Sequence, residues 1–332
     1  MKKFFKILGI VISLLIICLV AFVIYFNSAY PKVDPPSNEV VEITPERLAR
    51  GKYLANHVTV CIDCHSERDW TKYTGPLVPG SYGKGGELFN EELGGVPGNL
   101  YAKNITPSGI GDWTDGELKR LITNGVTRDN KAIFPIMPYL SYNKLTKEDL
   151  NSIVAYVRSL EPIENEVPES SLNFPVNLIV KSAPPQSYNP SPEVDKNDKI
   201  AYGKYLTTIA ACGDCHTPQE KGTPIAGLEF AGGFEFKFPF GIVRSVNITP
   251  DEETGIGAWD VDNFVDLFKN FHPDSSEAIE VDPDEFNTPM PWAMYAGMSR
   301  EDLASIFEYL KTLKPVKHNV ERFTELNAEF RN

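Results

Sequence analysis

The residues most suited to chemistry in this 332-residue chain form two short clusters of cysteine and histidine. Residues 61–65 are CIDCH and residues 212–216 are CGDCH, so both follow the pattern Cys-x-x-Cys-His. With two residues between the thiols, one tight turn can present both sulfur atoms to the same edge of a porphyrin, and the adjoining imidazole can bind the iron. The pattern therefore predicts two covalently bound haem c groups.

The predicted attachment sites and iron ligands follow from their positions in the two motifs. Four thiols would form thioether bonds and two imidazoles would bind iron: Cys61, Cys64 and His65 at one haem, Cys212, Cys215 and His216 at the other. A four-cysteine zinc site would need no histidine after each pair. A thioredoxin-like dithiol would need a strand–helix–strand context, which the flanking sequence does not indicate. Both are minor alternatives to haem.

A haem iron that has a second axial ligand is closed, which means that it has no open position for an added ligand. Methionine in that position raises the reduction potential. Met137 lies 72 residues after His65, and Met290 lies 74 residues after His216. Each methionine is followed by proline, which disfavours helix at that point. We therefore expect Met137 and Met290 to be the sixth ligands, with His272 as a rival in the second site.

The chain is an internal tandem duplication, because four segments recur in the same order with offsets of 143 to 153 residues. The matched segments are RGKYLA and YGKYLT, NITPSGIGDW and NITPDEETGIGAW, PIMPYL and TPMPWA, and AYVRSLEP and EYLKTLKP. We expect residues 44–162 to form a first copy and residues 196–332 a second copy. The linker between them, 163–195, is rich in proline but contains an apolar island, NFPVNLIV, so it should pack along one or both copies.

Helices are the regular elements that the sequence indicates in each copy. In the segment 145–160, apolar residues recur at i, i+3, i+4 and i+7, and residues 299–313 repeat this spacing. Thr146 with Asp149, and Ser299 with Asp302, resemble capping boxes with aspartate in place of glutamate. Further helices should begin near residues 45 and 198 and lead into the cysteine motifs. Within them, Gly51 and Gly203 would allow close helix contact near Tyr156 and Tyr309.

The NITP and GIG-x-W segments have two interpretations. We hypothesise that Asn104, Asn247, Trp113 and Trp259 line the haem edge or bind its propionates. A purely structural turn with a core tryptophan is the alternative, because asparagine and threonine side chains readily bond to nearby backbone.

Residues 1–30 predict a membrane anchor. Three lysines precede 20 uncharged residues, 7–26, which is about the length that a spanning helix needs. The lysines favour a cytoplasmic N-terminus, which would place the haem domains on the periplasmic side of a bacterial inner membrane. Cleavage of this segment as a signal peptide is an alternative, and Cys18 is expected to be a thiol within the membrane helix. Residues 31–43, with three prolines, should form an extended tether.

Composition limits the kinds of partner. The chain is 42% hydrophobic and 23% charged, which is typical of globular proteins. Its net charge of -13 disfavours nucleic acid and suits a basic protein surface. The acidic residues in 274–285 are a candidate docking surface for such a partner.

The combination of Cys-x-x-Cys-His with NITP, GIG-x-W, MPY and AYVRSL resembles the cytochrome c subunits of membrane-bound bacterial alcohol and gluconate dehydrogenases. The likeness covers about residues 42–162 and 196–315. It implies a mostly α fold: two tandem class I-like cytochrome c domains, each with a few helices and long loops around a covalent haem, after one transmembrane helix. Those subunits typically have three haem domains, whereas this chain has two motifs.

The resemblance implies an electron carrier without catalytic residues. We expect a membrane-tethered dihaem cytochrome that takes electrons from a respiratory donor and passes them to a downstream acceptor. Its redox partners would be a dehydrogenase, a quinol-oxidising complex or a terminal oxidase. The alternative is a dihaem enzyme, peroxidase-like or thiosulfate-oxidising, with one open haem iron.

Overall fold

A computed structural model describes residues 1–92, 95–220, 222–271, 279–282 and 285–325. Its α-helices are α1 Lys2–Ala29, α2 Pro45–Tyr53, α3 Cys61–Cys64, α4 Pro107–Ile110, α5 Asp115–Asn124, α6 Tyr139–Tyr142, α7 Lys147–Arg158, α8 Val176–Ile179, α9 Lys199–Ile209, α10 Cys212–His216, α11 Val261–Lys269, α12 Trp292–Tyr295 and α13 Arg300–Lys311. A π-helical turn, Leu54–Val58, follows α2, and a 3-10 turn, Val180–Ser182, follows α8. The prediction of helices joined by long loops is confirmed.

The strands are short and form three small antiparallel sheets. They are β1 Leu88–Phe89, β2 Gly98–Tyr101, β3 Ser171–Leu172, β4 Gln219–Glu220, β5 Thr223–Pro224, β6 Glu235–Phe238, β7 Gly241–Arg244 and β8 Phe323–Glu325. The strand orders are β1-β2-β3, β4-β5 and β6-β7-β8. The third strand of the first sheet comes from the linker, so the linker extends the first copy.

A glycine in each copy brings two helices into backbone contact. A Cβ on Gly51 would lie 1.9 Å from the carbonyl oxygen of Ser152 and 2.8 Å from the Cβ of Tyr156. A Cβ on Gly203 would lie 1.8 Å from the carbonyl oxygen of Ser305. Only glycine fits these crossings of α2 with α7 and of α9 with α13, so the predicted close approach is confirmed.

The helix that closes each copy begins at the predicted cap. The Thr146 hydroxyl accepts a hydrogen bond from the Asp149 amide at 3.1 Å, and the Ser299 hydroxyl accepts one from the Asp302 amide at 3.0 Å. In a complete capping box, the acidic side chain would bond back to the N-cap amide. Here the two aspartates instead bind tyrosines of the other copy.

In the second copy, Asp302 and Ser299 both hydrogen-bond to one tyrosine of the first copy. The Tyr53 hydroxyl donates to the Asp302 carboxylate at 2.6 Å and accepts from the Ser299 amide at 3.1 Å. The hydroxyl of Tyr202, within the second copy, lies 3.4 Å from the same carboxylate. The first copy thus completes the cap of α13.

In the first copy, a tyrosine of the second copy makes the equivalent contact at the cap of α7. The Tyr205 hydroxyl donates to the Asp149 carboxylate at 2.6 Å and accepts from the Thr146 amide at 3.1 Å. Asp149 also holds Arg50 through two hydrogen bonds of 2.8 and 2.9 Å. The two copies therefore meet through a pseudo-twofold interface in which each caps a helix of the other. One hydrophobic core runs through both, and it includes Leu54 and Leu206.

Helix α1 is long and apolar enough to cross a membrane, with a mean hydropathy of 3.4 in its most apolar window. The tether that follows, residues 31–43, contains no helix or strand and is docked on the first copy. The Val41 amide donates to the Asp115 carboxylate at 2.8 Å, and the Val41 side chain is 7% exposed. Gly116 makes room for the tether, since a Cβ there would lie 1.8 Å from the carbonyl oxygen of Ser37. The tether is therefore held against the N-terminus of α5.

The linker packs along the first copy, as expected. Strand β3 pairs with β2 through Gly98–Leu172 and Asn99–Ser171. Further along, the Tyr188 hydroxyl donates to the Leu145 carbonyl at 2.7 Å. These contacts distinguish the linker from a flexible spacer.

Replacing Gly51 with alanine should destabilise the protein by about 1–3 kcal/mol, because the new methyl group would overlap the Ser152 carbonyl and push α2 away from α7. The haem-loaded protein would be unfolded by heat or urea. Lys52→Ala, on the exposed side of the same helix, is the control and should change stability by less than about 0.5 kcal/mol. Equal stabilities of the two variants would contradict the proposed helix contact.

Tyr53→Phe should cost more stability than Tyr205→Phe. Both changes remove a hydrogen bond to a carboxylate, which is worth about 1.5–3 kcal/mol. Asp149 keeps Arg50 when Tyr205 is lost, whereas Asp302 has no ion pair in the part of the chain that the structure describes. Urea unfolding of both variants tests the order, and a larger loss for Tyr205→Phe would refute it.

Candidate haem-binding sites

Each cysteine pair lies on a single helical turn, α3 or α10. Side chains three positions apart on a helix lie on one side, so the two thiols of each motif face the same region. All five cysteines are described and none forms a disulfide. Both turns begin after a residue in the left-handed region, Val60 with φ 45° and Ala211 with φ 55°. For a β-branched residue this conformation is strained, which is typical of functional turns.

The histidine of each motif is oriented by a backbone carbonyl. His65 Nδ1 lies 2.7 Å from the carbonyl oxygen of Lys103, and His216 Nδ1 lies 2.8 Å from that of Val246. Because a carbonyl can only accept, Nδ1 carries the proton, which leaves Nε2 with a free lone pair for a metal. Burial lowers the pKa of both imidazoles, and this favours the neutral form that binds iron.

The NITP segments hold those two carbonyls in place. Asn104 Oδ1 accepts from the amide and hydroxyl of Thr106 at 2.9 and 2.7 Å, and its Nδ2 donates to the Ile163 carbonyl. Asn247 makes the same bonds to Thr249 and to the Val316 carbonyl. Each asparagine side chain therefore binds protein groups through both its oxygen and its nitrogen.

The hydrogen bonds of Asn104 and Asn247 to protein groups favour the structural interpretation of these segments over propionate binding. Each precedes the sequence Ile-Thr-Pro and follows the residue whose carbonyl accepts from histidine, so its hydrogen bonds hold the backbone next to that carbonyl. The two tryptophans differ in burial. Trp113 packs against the core, whereas Trp259 is 38% exposed. That the four side chains line the haem edge stays a prediction.

The two candidate methionine ligands lie on short turns between a proline and a one-turn helix. Met137 and Met290 are both half-buried, and the carbonyl of each accepts from the amide two residues later at 2.7 and 2.8 Å. In the second copy, Met298 is 1% exposed within the core and Met294 is 8% exposed. His272, the rival ligand, lies outside the described residues, as does most of the acidic segment 274–285.

A buried tyrosine joins each methionine loop to its cysteine turn. Tyr142, five residues after Met137, donates to the Thr59 carbonyl at 2.6 Å. Tyr295, five residues after Met290, donates to the Ala210 carbonyl at 3.1 Å. Both carbonyls lie two residues before the first cysteine of the motif. The sequence analysis missed these tyrosines, although their matching positions in the repeat were visible.

The surroundings of the two cysteine turns differ in charge. In the first copy, Arg68 bridges Asp63 at 3.1 Å and Glu87 at 2.9 Å, and its guanidinium lies 4.2 Å from the centre of the Trp70 ring. Burial raises the pKa of Asp63 while Arg68 opposes the shift. Gln219 occupies the position of Arg68 in the second copy, so among the described residues the second cysteine turn lacks the arginine that builds this network.

The donor set fits covalent haem better than the alternatives. Paired thiols on one turn, a histidine with Nδ1 already satisfied and a thioether on a fixed loop are the groups that a six-coordinate haem c uses. Among the described residues, no group of three or more histidine, cysteine or acidic side chains is arranged to hold a metal ion by itself. The geometry therefore gives no support to a four-cysteine zinc site.

Comparison with known proteins supports the same cofactor, although no protein-family model matches the chain. The chain is 27% identical, over 83% of its length, to an alcohol dehydrogenase (quinone) cytochrome c subunit of Gluconacetobacter polyoxogenes. It is 32% identical, over 64%, to a fructose dehydrogenase cytochrome subunit of Gluconobacter japonicus. It is 27% identical, over 66%, to a dihaem cytochrome c-type protein of Cereibacter sphaeroides.

The resemblance to cytochrome c subunits of dehydrogenases, predicted from the motifs, is therefore confirmed. The chain spans 58% of the alcohol dehydrogenase subunit, 42% of the fructose dehydrogenase subunit and 72% of the dihaem protein.

Asn104→Ala should raise the reduction potential of one haem. Loosening the Lys103 carbonyl weakens its bond to His65, so the imidazole donates less to iron and the ferric state is less stable. A hydrogen bond of about 1 kcal/mol corresponds to roughly 40 mV for one electron. A redox titration measures the shift.

Asn247→Ala is the matched variant and should raise the other potential instead. Haem content and far-UV circular dichroism show whether each variant is folded. If neither potential moves in folded, fully loaded protein, the carbonyls do not control the histidines.

Proposed function

We propose that this chain, a relative of the cytochrome c subunits of dehydrogenases, is a membrane-anchored dihaem cytochrome that carries electrons. The duplicated Cys-x-x-Cys-His turn, with each histidine aligned by a backbone carbonyl, is the observation that carries the proposal. The haem-binding units are residues 44–162 and 196–332. When bound, each haem supplies a one-electron couple between ferric and ferrous iron.

The four cysteines would hold two haem c groups, and His65 and His216 would be the proximal ligands. We assign Met137 and Met290 as the sixth ligands. Support comes from their matched positions on half-buried turns that are tied to the cysteine turns by Tyr142 and Tyr295, as described above. Met298 is a poorer candidate because it is only 1% exposed and lies within the core.

The protein's own residues would position the two sites for exchange between them. In the first copy, Ser141 follows Met137 by four residues, and its hydroxyl donates to the carboxylate of Asp214, between the second pair of cysteines, at 3.2 Å. In the other direction, His57 Nδ1 lies 2.9 Å from the carbonyl oxygen of Met294. Each methionine loop thus contacts the region of the other copy's cysteine motif, which supports electron transfer between two neighbouring sites.

The partner and location extend this proposal. Two of the similar proteins are named as cytochrome subunits of dehydrogenases, so a dehydrogenase is the proposed donor. A quinol-oxidising complex or a terminal oxidase would be an alternative partner. Helix α1 would anchor the chain in the bacterial inner membrane, with its lysines cytoplasmic and the haem domains periplasmic.

The first test is an optical spectrum of the purified protein, oxidised and reduced, with and without carbon monoxide or cyanide. Two closed irons with methionine ligands predict two low-spin haems, a sulfur-to-iron band at the red end and no uptake of added ligand. A native haem that binds carbon monoxide would refute the closed carrier and favour a dihaem enzyme.

Met137→Ala should open one of the two irons, so that about half of the haem binds carbon monoxide, and it should lower one reduction potential. Met290→Ala should do the same at the other haem. Met298→Leu is the control, since it changes a core methionine of similar volume and should leave both irons closed. A closed iron in Met137→Ala would show that another residue is the ligand.

A further inference from the structure

The apolar island of the linker, Asn173–Val180, turns two large side chains outward. Phe174 is 77% exposed and Ile179 is 59% exposed, whereas the neighbouring Val180 is 7% exposed and packs inward. Helix α8 occupies the middle of the island and is only one turn long. The island therefore offers an apolar edge that nothing in the described part of the chain covers.

This edge lies beside the end of the membrane helix. Lys181, directly after the island, hydrogen-bonds through its ammonium group to the side-chain oxygen of Asn27, in the last turn of α1. The Asp34 amide donates to the Gln186 carbonyl at 2.8 Å, which fixes the tether to the same part of the linker. The island is thus continuous with the anchor.

The depth of the membrane boundary follows from these contacts. The uncharged run ends at Phe26, one residue before Asn27, so Lys181 lies at the edge of the hydrocarbon region if α1 spans it. The headgroup layer adds roughly 5–8 Å on each side of the bilayer. Ile179 is two residues, at most about 7 Å of backbone, from Lys181, whose ammonium lies at that edge, so Ile179 is close to this layer.

We propose that the apolar island inserts Phe174 and Ile179 into the headgroup layer of the bilayer that α1 spans. The occupant of the exposed edge is lipid, because the edge continues the anchor and Lys181, directly after the edge, carries a charge that suits lipid phosphates. The proposal rests on the anchoring by α1 given above and goes beyond it. It makes the linker a second membrane contact.

The consequence is a fixed height and orientation of the first copy. The tether is docked on α5 and the linker is paired to β2. Insertion of the linker into the headgroup layer would therefore hold the first copy against the membrane. Electron exchange with a membrane-embedded partner would then not require the haem domains to move on a flexible tether.

The test uses the full-length, haem-loaded chain in liposomes with a nitroxide spin label. In a Cys18→Ser background, Phe174→Cys and Ile179→Cys each place one label on the island. Ile225→Cys, at a site 38% exposed in the second copy, is the control. We expect the ratio of label accessibility to oxygen over accessibility to a water-soluble nickel complex to be severalfold higher at 174 and 179 than at 225.

The outcomes distinguish membrane insertion of the island from anchoring by α1. Vesicle flotation reports whether α1 anchors the chain, and the haem spectrum reports whether each variant is folded. Labels at 174 and 179 that match the label at 225 in floated protein would overturn the island proposal and leave the anchor standing. Protein that fails to float would overturn both the anchor and the island, while haem binding would remain intact.

Discussion

The contact on which the rest of each copy depends is the crossing of two helices at a glycine. The Ser152 carbonyl occupies the space that a side chain at Gly51 would take, and Ser305 repeats the contact at Gly203. One helix of each pair leads into the cysteine motif, and its partner follows the methionine loop. Fixing the crossing therefore brings the two ends of a long, irregular segment together, so that its loops are held around the candidate haem site without much regular structure of their own.

The same helices also join the copies. In a capping box, an acidic residue at N3 bonds to the N-cap amide of its own helix. Here a tyrosine from the other copy takes that amide, and the shorter aspartate side chain binds the tyrosine hydroxyl. Because the exchange is reciprocal, one pair of residue types, duplicated with the domain, builds both halves of the interface. The interface resembles that of a symmetric dimer, formed within one chain.

Local chemistry was predictable from the sequence, and long-range pairing was not. The cysteine motifs, the caps at Thr146 and Ser299 and the two glycines follow from spacing within a few residues. The partners of Tyr53 and of the NITP asparagines lie 59 to 249 residues away, and no local pattern indicates them. The docking of the tether was not predictable either, because its prolines indicate its conformation and say nothing about the surface of α5, where Gly116 makes room for it.

The net charge of the chain is unfavourable for contact with an anionic membrane, so the proposed contact would depend on a local surface patch. The net charge of -13 repels an anionic lipid surface, but screening limits this repulsion to about 8 Å at physiological salt. In the proposed arrangement, the groups nearest the headgroups are the apolar island and Lys181, which binds Asn27 at the end of α1. Each lysine near such a surface contributes about 1 kcal/mol. In that arrangement the acidic remainder would stay in water, where its charge would suit the basic partner surface that the composition indicates.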